Sequence, residues 1–167
     1  MTHKKHMIMI ILIILPTILP AATALAFDKS ELRAVRAATA QFKRPEAARA
    51  VGYDLIPGLD HCFENPGVGA MGYHYIDAAA LDTTLEPTHP EAMVYAPMPN
   101  GRLKLAAVEY IVPIAAWDAT GATQPPSLFG QHFHPNHTLG VYVLHVWLWM
   151  PNPTGLFQDW NPNVTCP

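Results

Sequence analysis

Serine is almost missing from this chain: Ser30 and Ser127 are the only two, and neither stands in a Gly-x-Ser-x-Gly turn. A serine nucleophile therefore has no sequence context here. There is no P-loop and no glycine-rich dinucleotide fingerprint, which removes the common phosphate cradles. Positive charge is also scarce. The formal net charge is −3, and beyond Lys5 the basic residues gather between Lys29 and Arg49, with Arg102 and Lys104 the only later ones. No basic groove results, so nucleic acid is not an expected partner. Cysteine occurs only twice, at Cys62 and Cys166, and the sequence has no internal repeat or low-complexity tract.

What is present begins with a leader. His3, Lys4, Lys5 and His6 precede an apolar run from Met7 to Leu19, and small residues follow up to Ala24-Leu25-Ala26. This three-part pattern predicts a secretory signal peptide over residues 1–26 and one α+β domain over residues 27–167. The run is short for a bilayer span and carries Pro16 and Pro20 near its end, so no stable membrane anchor is expected after cleavage. The mature chain should be secreted or periplasmic. In that compartment a widely spaced cysteine pair is most simply one disulfide, Cys62 to Cys166, and a thiolate metal ligand from Cys62 beside His61 is the alternative. Asn136-His-Thr138 and Asn163-Val-Thr165 match the glycosylation sequon, which matters only in a eukaryotic secretory pathway.

The longest apolar segment after the leader, Leu139 to Trp149, is rich in β-branched and aromatic residues and ends at Pro151 and Pro153. Those features predict a strand, read as the innermost of its sheet, with His145 at its centre. Alternation puts Val141, Val143, His145, Trp147 and Trp149 on one face. Met71 to Ile76 reads as another strand, with His74 near its middle. Glu91 to Ala96 and Leu103 to Val112 read as a hairpin around Asn100-Gly101, since both turn residues tolerate positive φ. Strict alternation along the latter places Leu103, Leu105, Ala107, Glu109 and Ile111 on one face. Upstream, Leu32, Val35, Ala38 and Phe42 recur at helical spacing, and Pro45 divides the segment into a helix and a shorter one ending near Gly52. Pro113 to Pro126 reads as a loop. The expected architecture is N-terminal helices packed on a curved antiparallel sheet of about five strands, or on a small β-barrel made from it.

His74, Glu109 and His145 each interrupt a different predicted strand with an ionisable group. Same-face residues on neighbouring antiparallel strands converge, and two imidazoles with a carboxylate form a recognisable set of ligands for a divalent transition metal such as Zn, Cu, Fe or Mn. His132 and His134, one residue apart in the densest histidine cluster, would face the same way on an extended segment and complete or replace the set. A metal-free version has Glu109 polarise His145 or His74 for general acid–base work in a pocket lined by Tyr73, Tyr75, Tyr110, Trp147 and Trp149. A non-catalytic version binds a small apolar or aromatic ligand in the same pocket. Each histidine also has an ordinary structural role open to it, donating to a backbone carbonyl, and catalysis is left undecided by the residues alone.

Two resemblances attach to particular residues. The His132-x-His134 pair resembles the cupin metal motif, but Thr138, Leu139 and Gly140 stand where that motif expects a glutamate. The segment from Leu144 to Cys166, taken with Met71-Gly-Tyr-His-Tyr75 and Val108-Glu-Tyr110, resembles a group of small exported bacterial proteins of unknown function. That likeness covers most of the mature chain; it implies export and a shared fold, and no activity.

Overall fold

The structure is a computed structural model that describes residues 29–167. The leader, its cleavage site and the start of the mature chain lie outside the described residues. No helix among the described residues is long and apolar enough to cross a membrane.

Helix α1 (Lys29–Thr39) has Glu31 in its first turn and Arg36 in its last, charges that suit its dipole, and it tightens into one 3-10 turn at Ala40–Phe42. Arg44 is extended, as the residue before a proline prefers, and Pro45 then opens α2 (Pro45–Arg49). The sheet is antiparallel, curled and six-stranded. Its strands are β1 (Phe63–Asn65), β2 (Gly69–Ile76), β3 (Ala92–Pro97), β4 (Leu103–Pro113), β7 (His134–Asn136) and β8 (Val141–Val146), in the order β1-β2-β3-β4-β8-β7. A two-residue pair, β5 (Ser127–Leu128) and β6 (Gln131–His132), forms a separate ribbon. Asn100-Gly101 makes the expected hairpin turn, with Gly101 at φ +76°. The expected loop after β4 begins instead with a short helix, α3 (Ile114–Ala119).

Two expectations about the last long strand are corrected. It spans only Val141–Val146, because the chain folds back beyond that point: Leu148 donates to the Val146 carbonyl, and Trp149 and Met150 both donate to the Ala106 carbonyl. It is also not innermost, since β3 and β4 hold the centre and β8 is covered by β7 at the edge.

One face of the sheet carries the main core. Leu32, Val35, Phe42 and Ala48 from the helical segment pack against Tyr75, Met93, Tyr95, Val108, Tyr110, Val112, Leu144 and Val146. Leu105 joins this side, contrary to strict alternation. Val94 pairs with Ala107 but Tyr95 pairs with Leu105, so Ala106 is an extra residue on β4, and the bulge moves Leu105 to the helix-covered face. A second bulge lies at the β1–β2 step, where Phe63 pairs with Gly72 and Glu64 with Ala70. Gly72 adopts φ +109°, and a Cβ there would collide with the Tyr95 carbonyl, so only glycine fits. Both bulges border the strands that carry the polar residues on the other face.

The tail closes that other face. Asn161 pairs with Ala70, the Trp147 indole donates to the Gln158 carbonyl, and Cys166 is bonded to Cys62 across 104 residues. The disulfide excludes the thiolate-ligand alternative for Cys62.

Candidate metal centre

The site is built by sheet register. His74 of β2 pairs with Val94 of β3, which pairs with Ala107 of β4; two residues along β4, Glu109 lies between Ala92 of β3 and His145 of β8. All three ionisable side chains therefore point to the face away from the helices. His74 and Glu109 are separated by a whole strand, about 10 Å at the backbone. They meet because the intervening positions, Ala92, Val94 and Ala107, are small and fully buried.

The meeting is close. His74 Nε2 lies 3.2 Å from His145 Nε2 and 3.4 Å from Glu109 Oε2. His145 Nδ1 lies 3.3 Å from Glu109 Oε1 and 3.5 Å from Asp159 Oδ1. Neighbouring ligands of a tetrahedral Zn ion with bonds of about 2.0–2.1 Å stand about 3.3–3.4 Å apart. His74 Nε2 thus has both neighbours at ligand spacing, and ligand atoms of all three groups lie within 4.8 Å of one another. His145 is wholly inaccessible, and His74 and Glu109 are each only 6% exposed. The rings are held edge-on to Phe63 for His74 and stacked on Trp147 for His145. Among the described residues His74 Nδ1 meets no partner in good hydrogen-bond geometry, and His145 Nδ1 has only its long approaches to Glu109 and Asp159. A buried imidazole nitrogen is rarely left without a partner.

Protonation follows from burial and from charge placement. Burial, reinforced by the positive charge that His145 can carry, pushes His74 down to about 3, so its imidazole is neutral and its lone pair is available. Burial raises Glu109, opposed by His145. For His145, burial pulls down, but Glu109 and Asp159 outweigh it and the net direction is up. His134 is raised, first by its hydrogen bond to Asp159 at 2.7 Å. Asp159 is held well below the ordinary carboxylate range, since hydrogen bonds from His134 and His145 overcome its burial.

Of the five histidine and glutamate ligands expected from the sequence, the structure brings together His74, Glu109 and His145. His134 stands one carboxylate away, reaching the site through Asp159. His132 does not take part. It is exposed on the β5–β6 ribbon, and the buried Phe133 between the two histidines separates that ribbon from β7, so the pair does not face one way. The aromatic pocket is also corrected. Tyr75 and Tyr110 are buried in the helix-side core, where Tyr110 donates to the Pro87 carbonyl, and Tyr73 packs against the same core. Trp149 lies there too, beneath Arg36 and Lys43, with its indole donating to Thr39. Trp147 alone of the five is on the site's face, stacked on His145, and its indole is already engaged by Gln158.

A cavity of about 660 Å³ opens onto His74 and Glu109, with His145 behind them, and has largely aliphatic walls, among them Ile56, Leu59, Ile76, Leu81, Ile111 and Val143. Asp159 and Trp160 of the tail close one side. Sequence reasoning missed Asp159. The only available signal was its position in a tail pinned by the Cys166 disulfide.

Glu91 is a second buried carboxylate, beside the site but not in it. Its Oε2 accepts the Ile111 N–H at 2.9 Å, yet burial pushes its carboxyl up to about 7 from an ordinary 4.5. Between those values the folded chain keeps a proton that the unfolded chain has released. Stability should therefore fall as pH rises from about 4.5 to 7, by up to about 3 kcal/mol from this group. Urea unfolding at pH 5 and pH 8 should show a smaller fall in Glu91→Gln than in the native chain; equal falls would contradict the assignment.

Compared with protein-family models, with curated proteins and with solved structures, the chain matches none.

Proposed function

We propose that this is an exported protein whose His74, Glu109 and His145 bind a divalent transition metal. The observation that carries the proposal is the convergence of three buried groups, with His74 Nε2 3.2 Å from His145 Nε2 and 3.4 Å from Glu109 Oε2. The Nε2 atoms of His74 and His145 and an oxygen of Glu109 are the ligands. Asp159 behind His145 Nδ1 then supplies the carboxylate–histidine contact that fixes ring orientation and raises ligand basicity. Two imidazoles and one carboxylate suit Zn or non-haem Fe better than an all-oxygen or thiolate metal. Fewer protein ligands than a closed structural site uses, facing a cavity, is the arrangement of centres that keep a position open to small molecules. Export is supported by the Cys62–Cys166 disulfide and by the leader-like N-terminus.

The metal-free reading, a binding protein for a small apolar or aromatic ligand, draws on the aliphatic cavity alone. Elemental analysis separates the two. Protein purified without a histidine tag and dialysed against micromolar Zn²⁺ is expected to hold about one metal per chain, and to lose it in Glu109→Gln. Metal-free protein with an unchanged ligand-dependent signal would favour the second reading.

A further inference from the structure

The cavity has two chemically different ends. Its walls are aliphatic, from the loop carrying Ile56 and Leu59, the turn carrying Leu81, and strand residues Ile76, Ile111 and Val143. Its polar end is formed by His74 and Glu109 with His134 and Asp159 beside them, and Asn136, His137 and Thr138 add polar groups along the rim, while His145 lies behind the wall. A volume of about 660 Å³ lies within the range of small-molecule sites and far exceeds what metal-bound water needs.

The ligand set decides what kind of head group fits. His74, Glu109 and His145 leave a divalent ion a position open to the chamber. Asp159 is not placed to fill it, because its Oδ1 is held by His134 at 2.7 Å and stands 3.5 Å from His145 Nδ1, behind the ligand nitrogen. An anionic oxygen donor suits that position, since the protein ligands themselves, two neutral imidazoles and one carboxylate, carry one negative charge against the ion's two positive. The remainder of that ligand must then be apolar to suit the walls.

We infer that the chamber takes a small apolar monocarboxylate, its carboxylate on the metal held by His74, Glu109 and His145 and its tail among Leu81, Ile111 and Val143. This assignment rests on the metal-site proposal. It goes further in naming a ligand class, and it requires both ends of the cavity at once: a bare anion site would not need the aliphatic walls, and a greasy pocket would not prefer an anion.

The test uses the full mature chain loaded with Zn²⁺ or Co²⁺, with octanoate as the probe and acetate and 1-octanol as comparisons. Octanoate should perturb the visible spectrum of the Co²⁺ protein and bind the Zn²⁺ protein on the order of tenfold more tightly than either comparison. Stripping the zinc should weaken octanoate on the order of tenfold while leaving 1-octanol within about twofold. Leu59→Glu, on a loop, should weaken octanoate without changing zinc stoichiometry, and Leu81→Glu provides the same readout from a different segment if the first variant folds poorly. Zinc bound at one per chain with no octanoate effect would overturn the ligand assignment and leave the metal centre standing. Acetate as tight as octanoate, or octanoate as tight without zinc, would also overturn it. Failure to bind zinc at all would overturn both.

Discussion

Replacing His145 by alanine is expected to lower zinc affinity by more than about 100-fold, because losing an orienting partner alone costs about 10–100-fold and the proposal makes His145 a direct ligand. The position has no substitute nearby. His145 is wholly buried, lies opposite Glu109 in the β4–β8 register, and is the member that touches both the other histidine and the two carboxylates. Asp159→Asn should fall short of this, within the range of an orienting partner. His132→Ala should change nothing, since its side chain is exposed on a separate ribbon. The three variants measured side by side by competition with a zinc-responsive dye should rank in that order. Equal losses for His132→Ala and His145→Ala would contradict the geometry.

Removal of the disulfide, by Cys62→Ser with Cys166→Ser, is expected to cost about 4–5 kcal/mol on the chain-entropy account of a loop of this length, seen as a fall in Tm of about 10–20 °C. The bond closes a separation of 104 residues, so it restricts most of the unfolded chain. It also has a local consequence. Cys62 precedes Phe63, whose ring stands edge-on to His74, and Cys166 ends the tail that brings Asp159 within 3.5 Å of His145. Two walls of the site are thus tied by one bond, and metal affinity in the double variant should drop about as far as in Asp159→Asn. A double variant that keeps its Tm within about 2 °C would contradict the structural role assigned to the pair.

Much of this was legible in the sequence because it depends on local rules. The Asn100-Gly101 hairpin, the break at Pro45 and the cysteine pairing each follow from a residue type with few alternatives. The convergence of His74, Glu109 and His145 followed from the two-residue period of strands. The same period, applied to their neighbours, already removes Tyr73, Tyr75 and Tyr110 from the site: a residue next to an inward histidine or glutamate points the other way. The tyrosines serve the opposite core, where Tyr95 and Tyr110 donate to the carbonyls of Phe42 and Pro87. Trp149 was misplaced for a different reason, since alternation was carried beyond Val146, where the strand gives way to a fold-back held by the Ala106 carbonyl. That carbonyl belongs to the bulge residue that also moved Leu105, and nothing in an alternating run of Leu, Lys and Ala announces such an insertion. Asp159 illustrates the remaining limit. It lies in a tail with no periodic pattern, and its place over His145 is set by long-range anchors at Trp147, Ala70 and Cys62.

X-ray absorption at the zinc edge tests the centre most directly, on protein holding one zinc per chain. The expected shell has two imidazole nitrogens and at least one oxygen at about 2.0–2.2 Å. In His74→Ala one imidazole should vanish from that shell while the rest stays. A shell of oxygen alone, or one unchanged by the loss of His74, would mean that zinc sits elsewhere and that the three buried side chains are not its ligands.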